Sequence, residues 1–226
     1  MHLLLTAPTP PELAPTLARL RPQATTEEKN TLQFDNHTLE ILFTGLGPVL
    51  TAFTLGHRLA TLPLPDLAIQ AGVGGALDPA LPLTTLVRIT SDRFADLGAE
   101  DQDGSWLNPT QIGFAPAAPF TPDGRLLAAA DQANLPFPAA HGLTVSRATG
   151  SAKTIEKLRA KYPEAQVESM EGAAFFYACQ QVGVEAIQLR AISNYVEPRN
   201  RSAWRMGEAI GALNDGLRPL LEALLS

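Results

Sequence analysis

Residues 166–194 read QVESMEGAAFFYACQQVGVEAIQLRAISN. Gln166–Ser169 is a short run of strand length. Glu171–Val182 reads as a helix, with Gly183 just past its end, where a left-handed backbone costs glycine little. Glu185–Ser193 (EAIQLRAIS) is an apolar run of strand length. Strand, helix and strand in succession form a βαβ unit. Such a unit implies parallel pairing, with the crossover helix packed on a sheet face.

The alternation extends outward in both directions. Toward the start, His2–Thr6 reads as a buried strand. Glu12–Leu20 carries apolar residues at 13, 17 and 20, a helical spacing, with Pro15 expected in the first turn, where a missing N–H matters least. Thr31–Phe34 and Thr38–Thr44 read as a hairpin around Asp35-Asn36-His37. Leu46–Leu62 is a helix entered through Gly45-Leu46-Gly47-Pro48. Leu67–Ala71 is a strand expected to end in a glycine turn, Gly72-Val73-Gly74-Gly75, and Thr85–Thr90 is the next strand. Leu143–Ser146 reads as a strand and Ala152–Tyr162 as a helix closed by Pro163. Ala203–Leu225 is a long terminal helix. Residues 96–140 are irregular, a length that inside a compact domain points to a lid, a binding loop or an oligomer contact. The whole pattern predicts one α/β domain over 1–226, a mostly parallel sheet with helices on both faces.

Seventeen Lys and Arg stand against 23 Asp and Glu, a net charge of −6, so a nucleic-acid partner is not expected. Only 18% of residues are charged, which leaves less charge to cover the surface and hints at self-association. One cysteine excludes an internal disulfide and a thiolate zinc site. The histidines at 2, 37, 57 and 141 show no ligand spacing, so no metal is expected. The start, MHLLLTAPTPPEL, has no basic leader region. The longest uncharged stretch, 104–122, holds four prolines and cannot span a bilayer. The expectation is a cytoplasmic protein with no membrane partner.

In folds of this kind ligands lie beyond the C-terminal ends of the strands. Four strand ends carry informative residues: Glu12, Gly72–Gly75, Met170-Glu171 and Asn194-Tyr195. Each has a plainer reading beside a functional one. The glycines make a tight turn or a close approach to a ligand. They match neither a dinucleotide fingerprint nor a P-loop. Glu171 complements a helix dipole, or grips a ribose diol with an acceptor-only carboxylate. Asn194 satisfies a local turn, or reads a 6-oxopurine by accepting from one ring nitrogen and donating to the adjacent carbonyl. Glu12 is a helix-start acid. Arg199, Arg201 and Arg205 decorate a solvated loop.

With these residues assembled, the chain resembles the nucleoside phosphorylase/nucleosidase family. The stretch 169–204, with its MEG and RAISN blocks about 20 residues apart, carries most of the likeness. GLG at 45–47, GVGGAL at 72–77 and SDRFADLGAED at 91–101 extend it over nearly the whole chain. The resemblance implies a Rossmann-like three-layer α/β/α sandwich with a twisted mixed β-sheet, and a homo-oligomer (a dimer or larger) with sites near a subunit interface. It assigns the water-activating role to Glu12, across a one-residue gap in PTPPEL. Met170 and Glu171 match the ribose-binding pair. Phe94, Ala148 and Thr149 match positions flanking the base or sugar, with Gly72, Val73 and Gly74 in the pocket wall. Asn194 stands where adenine-cleaving relatives carry Asp. Phosphorolytic relatives hold phosphate with an Arg and a Ser or Thr where this chain has Gln70 and Val73, so the resemblance implies water as nucleophile. The expectation is cofactor-free hydrolysis of an oxopurine nucleoside releasing hypoxanthine. The alternatives are cleavage of methylthioadenosine or S-adenosylhomocysteine, and a non-catalytic purine-nucleoside-binding protein.

Overall fold

The computed structural model describes residues 1–114, 117–129 and 134–226. Its elements, in chain order, are β1 (His2–Ala7), α1 (Pro10–Leu20), β2 (Thr26–Glu28), β3 (Thr31–Phe34), β4 (His37–Phe43), α2 (Pro48–Thr61), β5 (Leu67–Ala76), β6 (Leu86–Asp92), β7 (Ala99–Glu100), β8 (Trp106–Leu107), β9 (Leu126–Leu127), β10 (Ala139–Thr144), α3 (Ala152–Lys161), β11 (Val167–Ser169), α4 (Gly172–Gln181), β12 (Glu185–Tyr195) and α5 (Met206–Leu224). The main sheet runs β11-β10-β6-β12-β5-β1-β4-β3-β2, with β9 beside β6. It is mixed. β1 pairs in parallel with β4 and β5, and β12 with β5, whereas β12 meets β6 antiparallel. β11 also pairs antiparallel with β5, so five strands close on themselves next to the central strand.

Strand alternation sends side chains to two helical layers. Leu3, Leu5 and Ala7 of β1 pack with Leu13 and Leu17 of α1 and Leu213 and Leu217 of α5. Leu4 faces the opposite way, into a cluster with Leu55 of α2 and Phe175 and Phe176 of α4. Ile155 and Leu158 dock α3 through a third cluster with Leu143 and Val145. Each such side chain contributes about 1.5–3 kcal/mol when fully buried. Among the described residues no helix is long and apolar enough to cross a membrane.

Several expectations need correction. Gly72–Gly75 form no turn: β5 runs straight through them to Ala76. α1 begins at Pro10, so Pro15 lies in its second turn, on the exposed side. Two prolines at the first helical positions start the helix earlier than its apolar spacing shows. β10 begins at Ala139, earlier than the apolar run, and α5 begins at Met206, after a short 3-10 turn over Arg201–Ala203. Stretch 96–140 contains the small strands β7, β8 and β9, and the parts of it at 115–116 and 130–133 lie outside the described residues. Gly183, with φ of +73°, ends α4 as its position predicts.

Candidate active site

The C-terminal ends of β1, β5, β11 and β12 border one cavity of about 370 Å³. Glu12, Val73, Gly74, Met170, Glu171 and Asn194 line it, and so do Ala148 and Thr149.

Glu12 reaches the cavity from the third residue of α1. Its Oε2 accepts from the Thr9 N–H at 2.9 Å and the Thr9 hydroxyl at 2.8 Å. Its Oε1 accepts from the Val73 N–H at 3.2 Å. Burial raises its pKa above the usual carboxylate range, against the lowering effect of these bonds and of Arg190.

Glu171 caps α4 and is also buried. Its Oε1 accepts from the Gly47 N–H at 3.0 Å, and its Oε2 accepts from Arg190 Nη1 at 3.3 Å. Each carboxylate oxygen keeps a further lone pair for a ligand hydroxyl.

Arg190, which sequence reasoning missed, bonds Glu171 and acts on Glu12 through its charge. Its guanidinium is fully buried in β12. Nε donates to Gln188 Oε1 at 3.1 Å, Nη2 to Gln70 Oε1 at 2.6 Å, and Nη1 to Val73 O at 3.4 Å as well as to Glu171. Gln188 in turn donates to Asp92 Oδ2 at 3.2 Å. Breaking a buried pair of this kind from one side costs about 3–5 kcal/mol. A signal was present: a charge in the middle of an apolar strand flanked by buried neighbours needs a partner.

The glycines of β5 make room for this arrangement. A Cβ on Gly72 would stand 2.7 Å from Arg190 Nη1 and 3.1 Å from Glu12 Oε1. Close approach of side chains, not a turn, is what these positions require.

Asn194 follows an irregularity in the β12–β5 pairing. Its Oδ1 lies 2.8 Å from the Ser193 hydroxyl, and its Nδ2 donates to Tyr195 O at 2.9 Å. The local turn-like bonds of the plainer reading are therefore present. One N–H and one oxygen lone pair remain free to meet a ligand.

Glu168 also lines the cavity and was passed over in the sequence. Oε1 accepts from the Thr149 N–H at 2.9 Å, which fixes the Ala148–Thr149 segment against the cavity. Burial raises its pKa, with Asp96 adding in the same direction.

Phe94 is not brought to this site. It pairs with Thr144 in an isolated bridge and lines a separate apolar cavity of about 240 Å³ with Phe114 and Phe120. The Arg199 guanidinium lies 5.7 Å from the centre of the Trp204 ring, and Trp204 lines the cavity that Glu12 and Glu171 share. Arg201 lies exposed in the 3-10 turn. The Cys179 thiol is buried in α4 and pushed up to about 12 by desolvation, which leaves it inert.

The family model of the phosphorylase superfamily matches residues 2–219. Futalosine hydrolase of Streptomyces coelicolor is 38% identical over 191 residues, covering 81% of this chain and 80% of that one. Futalosine hydrolase of Thermus thermophilus is 32% identical over 190 residues, covering 80% of each. The solved 5'-methylthioadenosine/S-adenosyl homocysteine nucleosidase of Helicobacter pylori superposes with a TM-score of 0.81 at 16% identity, covering 99% of this chain and 98% of that one. The native structure of futalosine hydrolase of Helicobacter pylori superposes equally well, with a TM-score of 0.81 at 14% identity and the same coverage.

Proposed function

The chain belongs to the phosphorylase superfamily, and from that premise we propose that it is a futalosine hydrolase. It cleaves the N-glycosidic bond of futalosine with water, giving hypoxanthine and dehypoxanthine futalosine, a cytoplasmic step of menaquinone biosynthesis. The observation that carries this reading is one cavity lined by Glu12, Glu171 and Asn194. The Gln70 amide beside it holds Arg190 in place. It leaves no free guanidinium at that position for a phosphate dianion.

In this reading the C1′–N9 bond stretches first and leaves an oxocarbenium-like sugar. Glu171 and Met170 position the ribose, the carboxylate through its 2′- and 3′-hydroxyls. Glu12 takes a proton from the water that attacks C1′ on the face opposite the base. Solvent supplies the proton that N7 takes as the bond breaks; Asn194 Oδ1 then accepts from N7–H while Nδ2 donates to O6, and the proton held by Glu12 returns to solvent. No cofactor enters any of these steps.

Incubation with futalosine, inosine and methylthioadenosine, with and without phosphate, tests the reading. Hypoxanthine should leave futalosine at a rate that phosphate does not change. The superposition on a methylthioadenosine nucleosidase keeps a second reading open. Adenine released from methylthioadenosine with the higher kcat/KM selects it. A protein that binds purines and releases no base from any of the three is the non-catalytic case.

The active species is a homo-oligomer. Val49, Leu50 and Phe53 of α2 stand 77%, 52% and 74% exposed on one helix face, and Leu46, 60% exposed, continues that face into the cavity. An apolar stripe of this kind marks an interface. A second copy of this chain covers it. Light scattering should give a mass of at least twice 24.1 kDa. Val49→Asp with Phe53→Asp should reduce that mass to one chain; a wild-type monomer would defeat the idea.

A further inference from the structure

Glu168 is 7% exposed, faces the nucleoside cavity and has one carboxylate oxygen, Oε2, with no hydrogen-bond partner. Its other oxygen is held by the Thr149 N–H, so the side chain is anchored with one acceptor open. A buried acceptor left unmade costs roughly 1–3 kcal/mol, a cost that a ligand donor relieves.

Sheet register gives the position of that acceptor relative to Asn194. Gly75 of β5 is the Cα partner of Asn194 on one side and of Glu168 on the other. Cα partners on neighbouring strands send side chains to the same face. Two strand spacings, roughly 10 Å, separate the two backbones. Gly75 between them carries no side chain; a Cβ there would lie 3.0 Å from Val196 Cγ2 and 3.1 Å from Asn194 Nδ2. Both side chains line the same cavity, so one polar edge of a bound ring can meet the carboxamide and the carboxylate together.

We propose that Glu168 is the residue that selects the nucleobase, its free Oε2 accepting the N1–H of a 6-oxopurine. This deepens the futalosine hydrolase reading and rests on it. In hypoxanthine N7, O6 and N1–H follow one another along one edge. Asn194 meets the first two and Glu168 the third. Adenine presents a bare N1 lone pair at the same place, opposite a carboxylate lone pair. A site built to satisfy a buried polar group rejects the analogue that lacks the matching donor.

Calorimetric binding of free bases tests this without turnover. Wild-type protein should bind hypoxanthine at least about tenfold more tightly than adenine or 1-methylhypoxanthine. Glu168→Gln keeps an acceptor for the Thr149 N–H and turns an amide N–H₂ toward the base. It should weaken hypoxanthine binding roughly tenfold to a hundredfold and leave adenine binding unchanged or tighter. An unchanged hypoxanthine-to-adenine ratio in the variant overturns the proposal. So does wild-type protein that binds 1-methylhypoxanthine as tightly as hypoxanthine, or that fails to bind hypoxanthine. The wild-type methyl comparison decides alone if the variant does not fold. Selective hypoxanthine binding by a protein that cleaves no futalosine would sink the assigned activity and leave the Glu168 assignment standing.

Discussion

Glu12 serves two structures at once. Its Oε2 holds the first turn of α1 through Thr9, and its Oε1 meets the Val73 N–H at the cavity. The plainer reading of an acid at a helix start is therefore correct as far as it goes, and spacing alone would not separate it from a catalytic base. Glu12→Gln should lower kcat about 10²- to 10⁴-fold, the usual range for a general base. Hypoxanthine affinity should change little, because the proposed base contacts lie elsewhere. Wild-type turnover in the variant would remove Glu12 from the mechanism. A base works ionised, and burial raises this carboxyl. The acid limb of kcat/KM should thus fall at a pH above the ordinary carboxylate range.

At the scale of elements, β5 is the instructive case. Its first half is apolar and reads as a strand; its second half, Gly72-Val73-Gly74-Gly75, reads as a turn because glycine breaks regular structure in isolation. In the sheet it is flanked by β12 along its length, and glycine there answers the need for clearance. Gly72→Ala should push Arg190 Nη1 and Glu12 Oε1 apart and cost at least about tenfold in kcat/KM. Gly211 lies inside α5, exposed, with nothing within 4 Å of an added Cβ. Gly211→Ala should instead stabilise the fold by roughly 0.5–1 kcal/mol and leave activity intact. Denaturant titrations and steady-state kinetics on both variants check the contrast. Equal behaviour of the two would refute the clearance argument.

For the whole molecule, the chain Asp92–Gln188–Arg190–Glu171 runs from the end of β6 to the cavity. Desolvation pushes the Asp92 carboxyl up to about 6, against the bonds from Gln188 and Thr144. The folded protein therefore takes up a proton between pH 7 and 5 that the unfolded chain, with an ordinary Asp pKa near 3.9, does not. A raised acid stabilises the fold as pH falls. Wild type should gain about 1 kcal/mol relative to Asp92→Asn between pH 7 and pH 5, read from urea midpoints. A constant difference would contradict the assignment. The sequence by itself determined the alternation of strands and helices, the strand ends where Glu12, Glu171 and Asn194 stand, and the family likeness. All of these depend on local pattern and on residues close together in the chain. Tertiary structure alone decided that β11 returns to β5, that Arg190 links two distant acids, that Glu168 faces the cavity and that Phe94 does not. Those outcomes depend on pairings between segments tens of residues apart, where burial and register are settled by packing and leave no periodic mark in the sequence.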